Sequence, residues 1–373
     1  MDAVGGTLKE RLIDRIRREG PLTFAAFMEV ALYDPVDGFY ARGGAREPVG
    51  EGGHFVTSPH VSPAFADLLA RQIAEVWDLL GRPGSGSVVE LGAGDGTLAS
   101  QILIALRAVP ELDRAVRYVA VERTPSATDR LRARGLEAMT SLRNVQVETG
   151  CIIANEVFDN LPFHRLRERG GRTVEVFVGA EGGRLVEIED EPTQEALEAI
   201  RSPLRAGAES PASPDALAMV RDIAAALDRG YAFLFDYGFA SDETPGPVHA
   251  YRDHAALSEV LEDPGGRDVT AAVDFAALAA EAERAGLQVW GPVPQRDSLL
   301  GLGFRTWLQG VRHRQREAEA AGDWRTANRL FAERSRASIL VDQAKLGGLR
   351  LLVLGTRGLP APAAVLGDRD AGC

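Results

Sequence analysis

Residues 88–96 read VVELGAGDG, so Gly92, Gly94 and Gly96 follow directly on an apolar run. Glycine carries no Cβ, and three of them in a strand-to-helix turn let a ligand lie close against the main chain. Glu122 comes 26 residues after Gly96, at the end of a second apolar run. That is near the spacing at which a carboxylate accepts hydrogen bonds from ribose hydroxyls. Glu90 puts a carboxylate inside the first run, where burial demands a partner or a cation. A sulfonium ligand with its amino group meets that demand. Spacing alone also admits a nicotinamide dinucleotide, but the loop reads G-x-G-x-G without the later glycine that tight pyrophosphate packing prefers. The detail therefore favours an adenosyl sulfonium, S-adenosylmethionine, over a dinucleotide.

A second constellation, Asn155, Glu156 and Asp159, follows directly on the apolar run 151–154. Ligands of parallel sheets bind outside the carboxyl ends of the strands, so these side chains are expected beside a reactive methyl group. Methyl transfer is an in-line displacement that needs a positioned nucleophile and help with its deprotonation. Glu156 or Asp159 can grip a guanidinium or amine and accept a proton, arginine being the bidentate match for a carboxylate. The plainer alternatives are a helix cap for Asp159 and a structural hydrogen-bond acceptor for Glu156. The Asn-Pro-Pro-aromatic run with which many nucleic-acid methyltransferases grip a flipped base is absent, which disfavours base methylation.

These residues need a scaffold, and the hydrophobic pattern supplies one. Strand-like runs at 87–91, 116–123, 151–154, 231–238, 287–291 and 349–356 alternate with helical stretches, the pattern of a parallel sheet with right-handed crossovers. The expected fold is α/β, a Rossmann-like doubly wound sheet, mostly parallel with an antiparallel last strand. Amphipathic helices are predicted from Thr7 to about Arg18, from Thr23 to Leu32 and from about Ser62 to Gly81. The alternating segments TVEVFVG and RLVEIED predict an antiparallel hairpin inserted on the sheet. The charged stretch 306–341 predicts an exposed helical pair. Expected organisation is a helical region with a Gly- and Pro-rich lid over 1–80, a methyltransferase domain over 81–358 with insertions at about 166–213 and 296–346, and a frayed tail over 359–373.

Bulk properties exclude several classes. The net charge of -12 argues against a large basic face for nucleic acid. Nothing approaches eighteen consecutive apolar residues, and the opening is charged and helix-like, so neither a membrane span nor a secretory leader is expected. Cys151 falls on a predicted buried strand and Cys373 at the last residue, poor geometry for a disulfide, and a reducing cytoplasm is the expected location. The histidines form no metal-binding motif, so no metal is expected.

Seven segments occur in one order: ALYDPVDGFY, GGHFVTSPHVSPAFADLLA, VVELGAGDGTL, IIANEVFDNLPFHRL, FDYG, GRDVTAAVDF and KLGGLRLLVLG. Together they resemble the MidA-like family of methyltransferases over most of residues 22–355. That family includes a mitochondrial complex I assembly factor that methylates an arginine of a respiratory subunit. The resemblance implies an S-adenosylmethionine-dependent protein methyltransferase, arginine as first-choice acceptor, and a respiratory-complex subunit as partner. It implies Gly92, Gly94, Gly96 and Glu122 at the cofactor, Thr140 or Ser141 at the adenine, and Asn155, Glu156 and Asp159 near the acceptor. It also implies a lid through Phe55, Thr57, Ser58 and Pro59. The family usually has aspartate where His54 stands and glutamate where His60 stands, and a neutral His54 can accept a proton in that place. A non-catalytic assembly factor and a small-molecule methyltransferase are the competing readings.

Overall fold

The computed structural model describes residues 6–41, 57–201, 204–240, 243, 245–246, 248–252, 255–257 and 259–367. The chain divides into two compact units, one of Met1–Phe55, Val157–Asp222 and Tyr237–Glu281, the other of Val56–Glu156, Ile223–Asp236 and Ala282–Cys373.

The second unit is built on a seven-stranded sheet. Its strands are β1 (Gly86–Leu91), β2 (Val116–Val121), β3 (Glu137–Met139), β4 (Gly150–Asn155), β5 (Gly230–Asp236), β6 (Gln288–Pro294) and β7 (Arg350–Gly355). They lie in the order β6-β7-β5-β4-β1-β2-β3, and β7 runs antiparallel to both β5 and β6. Every other pairing is parallel. Every residue of β5 is buried, as in a strand covered on both faces. The chain winds from β1 outward to β3 and then returns to place β4 on the other side of β1. Strand order therefore reverses between β1 and β4, the switch point at which sheets of this type hold ligands.

Register makes this crevice specific. Leu91 pairs with Val121 on one side and Ala154 on the other, and Val121 pairs with Met139. Gly92, Glu122, Thr140 and Asn155 are therefore the next residues of four adjacent strands, all at one edge. The helix Ala64–Leu79 supports this unit because Phe65, Leu68, Leu69, Ile73 and Val76 recur at helical spacing and are buried. Phe65 meets Phe235 of β5 edge to face at 5.3 Å. Burial of each such side chain contributes about 1.5–3 kcal/mol. Ser62 is extended, so this helix begins at Ala64 after a separate turn, Ser58–Val61, rather than at Ser62. The helices Phe304–Ala320 and Trp324–Ala337 form the expected pair, with Phe304, Trp307, Val311 and Leu330 in the core.

The first unit carries the predicted hairpin, Arg172–Glu181 with Arg184–Asp190, but on a sheet of its own. Leu22–Thr23, His164–Arg169 and Glu209–Ala212 complete that five-stranded antiparallel sheet. The expectation that the hairpin joins the parallel sheet is corrected. Its strands keep one polar face, which an antiparallel sheet can leave to water and a doubly covered parallel one cannot. The helix Leu8–Glu19 opens on a capping box between Thr7 and Glu10 and packs its Leu8, Leu12, Ile13 and Ile16 stripe into this unit's core.

Candidate active site

The three loop glycines have different physical roles. All have left-handed backbone, with φ of 64° at Gly92, 54° at Gly94 and 77° at Gly96. A Cβ on Gly96 would stand 2.9 Å from Leu131 Cδ2 and from Leu136 Cδ1, so Gly96 lets the loop settle onto an apolar layer. A Cβ on Gly94 would meet nothing within 4 Å, so the space in front of Gly94 is open to a ligand. Gly92 and Ala93 donate to the Val121 carbonyl, which ties the loop to the end of β2.

Glu122 faces the same loop. Its Oε1 accepts from the Gly94 N–H at 2.6 Å and its Oε2 from the Arg123 N–H at 3.2 Å. Burial raises its pKa above the ordinary carboxylate value, against the pull of those two donors. Glu90 is 3% exposed and accepts from the Tyr118 hydroxyl at 2.8 Å. Burial, opposed by that bond and assisted by Glu122 and Asp95, pushes Glu90 up to about 8. Its partner is therefore a neighbouring strand's phenol, and Glu90 keeps its proton at neutral pH. Thr140 is exposed just beyond β3, and Ser141 caps a short turn by accepting from the Arg143 N–H at 3.3 Å.

At the end of β4 the backbone turns sharply. Glu156 has φ of 56°, one of three non-glycine residues with positive φ among those described. Such a conformation costs about 1–2 kcal/mol for a residue with a Cβ and persists only where its surroundings enforce it. Its N–H donates to Phe235 at 2.8 Å, and its Oε1 accepts from the Ser58 N–H at 3.2 Å and from Asn155 Nδ2 at 3.1 Å. Burial, with help from Asp236, lifts Glu156 to about 7 despite those donors. Asn155 Oδ1 is buried with no hydrogen-bond partner among the described residues, an acceptor left for a ligand donor.

The turn Ser58–Val61 joins these parts within the second unit. Besides the Ser58–Glu156 bond, Ser58 Oγ meets Gln295 Oε1 at 3.2 Å, and Gln101 donates to the Pro59 carbonyl at 3.2 Å. His60 bridges Thr57 Oγ1, 2.8 Å from Nδ1, and Asp95 Oδ2, 3.3 Å from Nε2. Asp95 also caps the helix Thr97–Leu106 through the Thr97 N–H and hydroxyl. Burial pushes Asp95 upward, but bonds from His60 and Thr97 prevail and hold it at about 2. Reasoning from sequence passed over Asp95 and Tyr118 as partners. An aspartate two residues before the Thr97 amide inside the loop is a usable capping signal for Asp95, whereas nothing marks Tyr118, which pairs with Val88, as reaching diagonally to Glu90.

Asp159 belongs to the first unit, where its carbonyl accepts from Ala271 at 3.4 Å. The adjacent Asn160 donates through Nδ2 to both oxygens of buried Asp268, which also accepts from the Tyr40 hydroxyl at 3.2 Å. Burial raises Asp268 to about 7. His54 lies outside the described residues.

Comparison with known proteins gives this geometry a context. A family model described as "Putative S-adenosyl-L-methionine-dependent methyltransferase" matches residues 68–293. The chain is 28% identical over 341 residues to the zebrafish (Danio rerio) protein arginine methyltransferase NDUFAF7, mitochondrial, covering 82% of this chain and 79% of that one. It is 28% identical over 352 residues to the Caenorhabditis elegans homolog of the same name, covering 84% and 81%. A crystal structure from Burkholderia thailandensis, bound to S-adenosyl-homocysteine, superposes with a TM-score of 0.81 at 28% identity over 97% of this chain and 95% of that one. The names of the relatives place them in mitochondria, which overturns the cytoplasmic location expected from cysteine usage and the opening residues. No helix among the described residues is long and apolar enough to cross a membrane. With a sheet that reverses at β1 and β4, an open glycine loop and a family match over more than half its length, the chain belongs to the S-adenosylmethionine-dependent methyltransferases.

Proposed function

We propose that this enzyme methylates a guanidinium nitrogen of an arginine in a protein. The supporting observation is Glu156: a carboxylate in left-handed backbone, lifted to about 7, at the mouth of β4 beside an unsatisfied Asn155 oxygen. The relatives' names carry the same acceptor, and the family resemblance extends it to a respiratory-complex subunit.

In this reading Gly92, Gly94 and Gly96 give the cofactor main-chain approach, Glu122 accepts from its ribose hydroxyls, and Thr140 or Ser141 serves its adenine. The negative charge of Asp95, held at about 2, favours a cationic ligand. S-adenosylmethionine, when bound, supplies an electrophilic methyl group on sulfur. Asn155 and Glu156 orient the guanidinium, and Glu156 takes the proton that the nitrogen loses as it gains the methyl. Asp159 serves acceptor recognition, and His54 is assigned to the lid as a proton acceptor.

Titration with S-adenosyl-homocysteine tests the cofactor assignment, and mass spectrometry of methylarginine in cells lacking this chain tests the acceptor. Loss of methylarginine from one protein, restored by the parent chain and not by Glu156→Gln, is the expected result. Full restoration by that variant would remove Glu156 from the mechanism.

A further inference from the structure

Glu156 is not held by its own strand alone. Its Oε1 accepts from the Ser58 N–H at 3.2 Å, and Ser58, itself fully buried, donates its hydroxyl to Gln295 Oε1 at 3.2 Å. Gln295 heads the short helix Gln295–Gly301, directly after β6, and is fully buried. The rest of its polar atoms are used as well. Its Nε2 donates to the Leu340 carbonyl at 3.2 Å, and its main-chain N–H donates to the Leu349 carbonyl at 2.6 Å. One buried side chain thus links the segment leading into β7 to the turn that meets Glu156. An apolar residue would fill this space at lower cost, because a buried amide is unfavourable unless its bonds are made. Pro59 and His60 have separate ties, to Gln101 and to Asp95, so Gln295 acts at the residue of the turn that touches Glu156.

We infer that Gln295 is a positioning residue for methyl transfer: through Ser58 it fixes the N–H that holds the Glu156 carboxylate in place for the acceptor. The inference rests on the proposed function in taking Glu156 as the proton acceptor. A displaced Ser58 would withdraw a donor from the ionised carboxylate and one constraint from its left-handed backbone. The charged neighbour acting on Glu156 is Asp236 of β5, and Asn155 is its other side-chain donor.

The test is carboxyl NMR of the full chain with isotope-labelled glutamate, the Glu156 signal being the one lost in Glu156→Gln. Gln295→Met keeps length and volume but removes both side-chain bonds, and Ser58→Ala removes the hydroxyl while leaving the N–H in the chain. In both, the Glu156 midpoint, near pH 7 in the parent, should move up by roughly half a pH unit or more, because the ionised form loses support. Methyl transfer from labelled S-adenosylmethionine to an extract of cells lacking this chain should fall roughly threefold to tenfold at neutral pH, with S-adenosyl-homocysteine affinity unchanged. Ser298, on the same helix, has a buried Oγ with no hydrogen-bond partner among the described residues, and Ser298→Ala should change neither reading. A midpoint that stays put in Gln295→Met and Ser58→Ala overturns the inference, as does full methyl transfer by both while Glu156→Gln has lost it. If Gln295→Met fails to fold, Ser58→Ala decides. Full methyl transfer by Glu156→Gln would instead sink the reading of Glu156 as proton acceptor, whatever the midpoints do.

Discussion

The carboxylates at the ends of β1, β2 and β4 and those of the five-stranded antiparallel sheet are treated in opposite ways by this molecule. On the antiparallel sheet Glu187, Glu189 and Glu209 face arginines. Arg165 bonds Glu209 at 2.6 Å, Arg167 bonds Glu187 at 2.8 Å and Glu189 at 3.0 Å, and Arg169 bonds Glu189 at 2.7 Å. Bonds from Arg169 and then Arg167 hold Glu189 down at about 2. At the parallel sheet's edge Glu90 and Glu156 have only neutral donors and rise to about 8 and about 7. Charge neutralised across a sheet maintains a surface, whereas carboxylates left without a cation at a strand-order reversal await a positive ligand.

The sharpest way to break that contrast is Glu156→Gln. Turnover should fall roughly 10²–10⁴-fold, the usual range for removing a general base, while calorimetric affinity for S-adenosyl-homocysteine holds. In the parent, kcat/KM should climb as pH rises through about 7, because only the ionised carboxylate takes a proton. A variant with the same pH profile would show that the limb belongs to another group.

Gly94→Val comes next. The open space at Gly94 becomes occupied, and affinity for S-adenosyl-homocysteine should drop roughly a hundredfold, about 3 kcal/mol. Retained affinity would mean that the ligand lies elsewhere.

Glu90→Gln addresses stability. The folded chain keeps the Glu90 proton up to about pH 8, whereas the unfolded chain loses it near 4.5. Between those values the native state binds more protons, so this group's contribution is complete below about 4.5 and is lost as pH rises toward 8. The melting temperature of the variant should decline less steeply from pH 5 to 8 than that of the parent. Parallel declines would dissociate the slope from Glu90.

The smallest effect belongs to the paired side. Arg169→Gln on the exposed rim should shift melting by no more than about 2 °C and leave turnover alone. A large loss of activity there would erase the distinction between the two sets of carboxylates.

Much of the parallel sheet was legible because buried strands read as apolar runs and the glycine turn marks where one ends. The single antiparallel strand of the sheet also agreed. The hairpin's sheet was not, since alternation at 174–180 identifies a half-exposed strand without naming its neighbours. Nor was Glu156's left-handed backbone, because glutamate has no propensity for it and only Ser58, Asn155 and Phe235, distant or adjacent in sequence, enforce it. Glu90 was readable as a buried carboxylate but not as Tyr118's partner, a pairing set by β1–β2 register.

Gly96 ties ligand handling to hydrophobic packing. Because the ends of Leu131 and Leu136 reach the place where its side chain would begin, an alanine there would displace two leucine methyls and also strain the left-handed backbone. The apolar layer can give at those flexible ends, so the backbone angle is the firmer reason that glycine holds the bend.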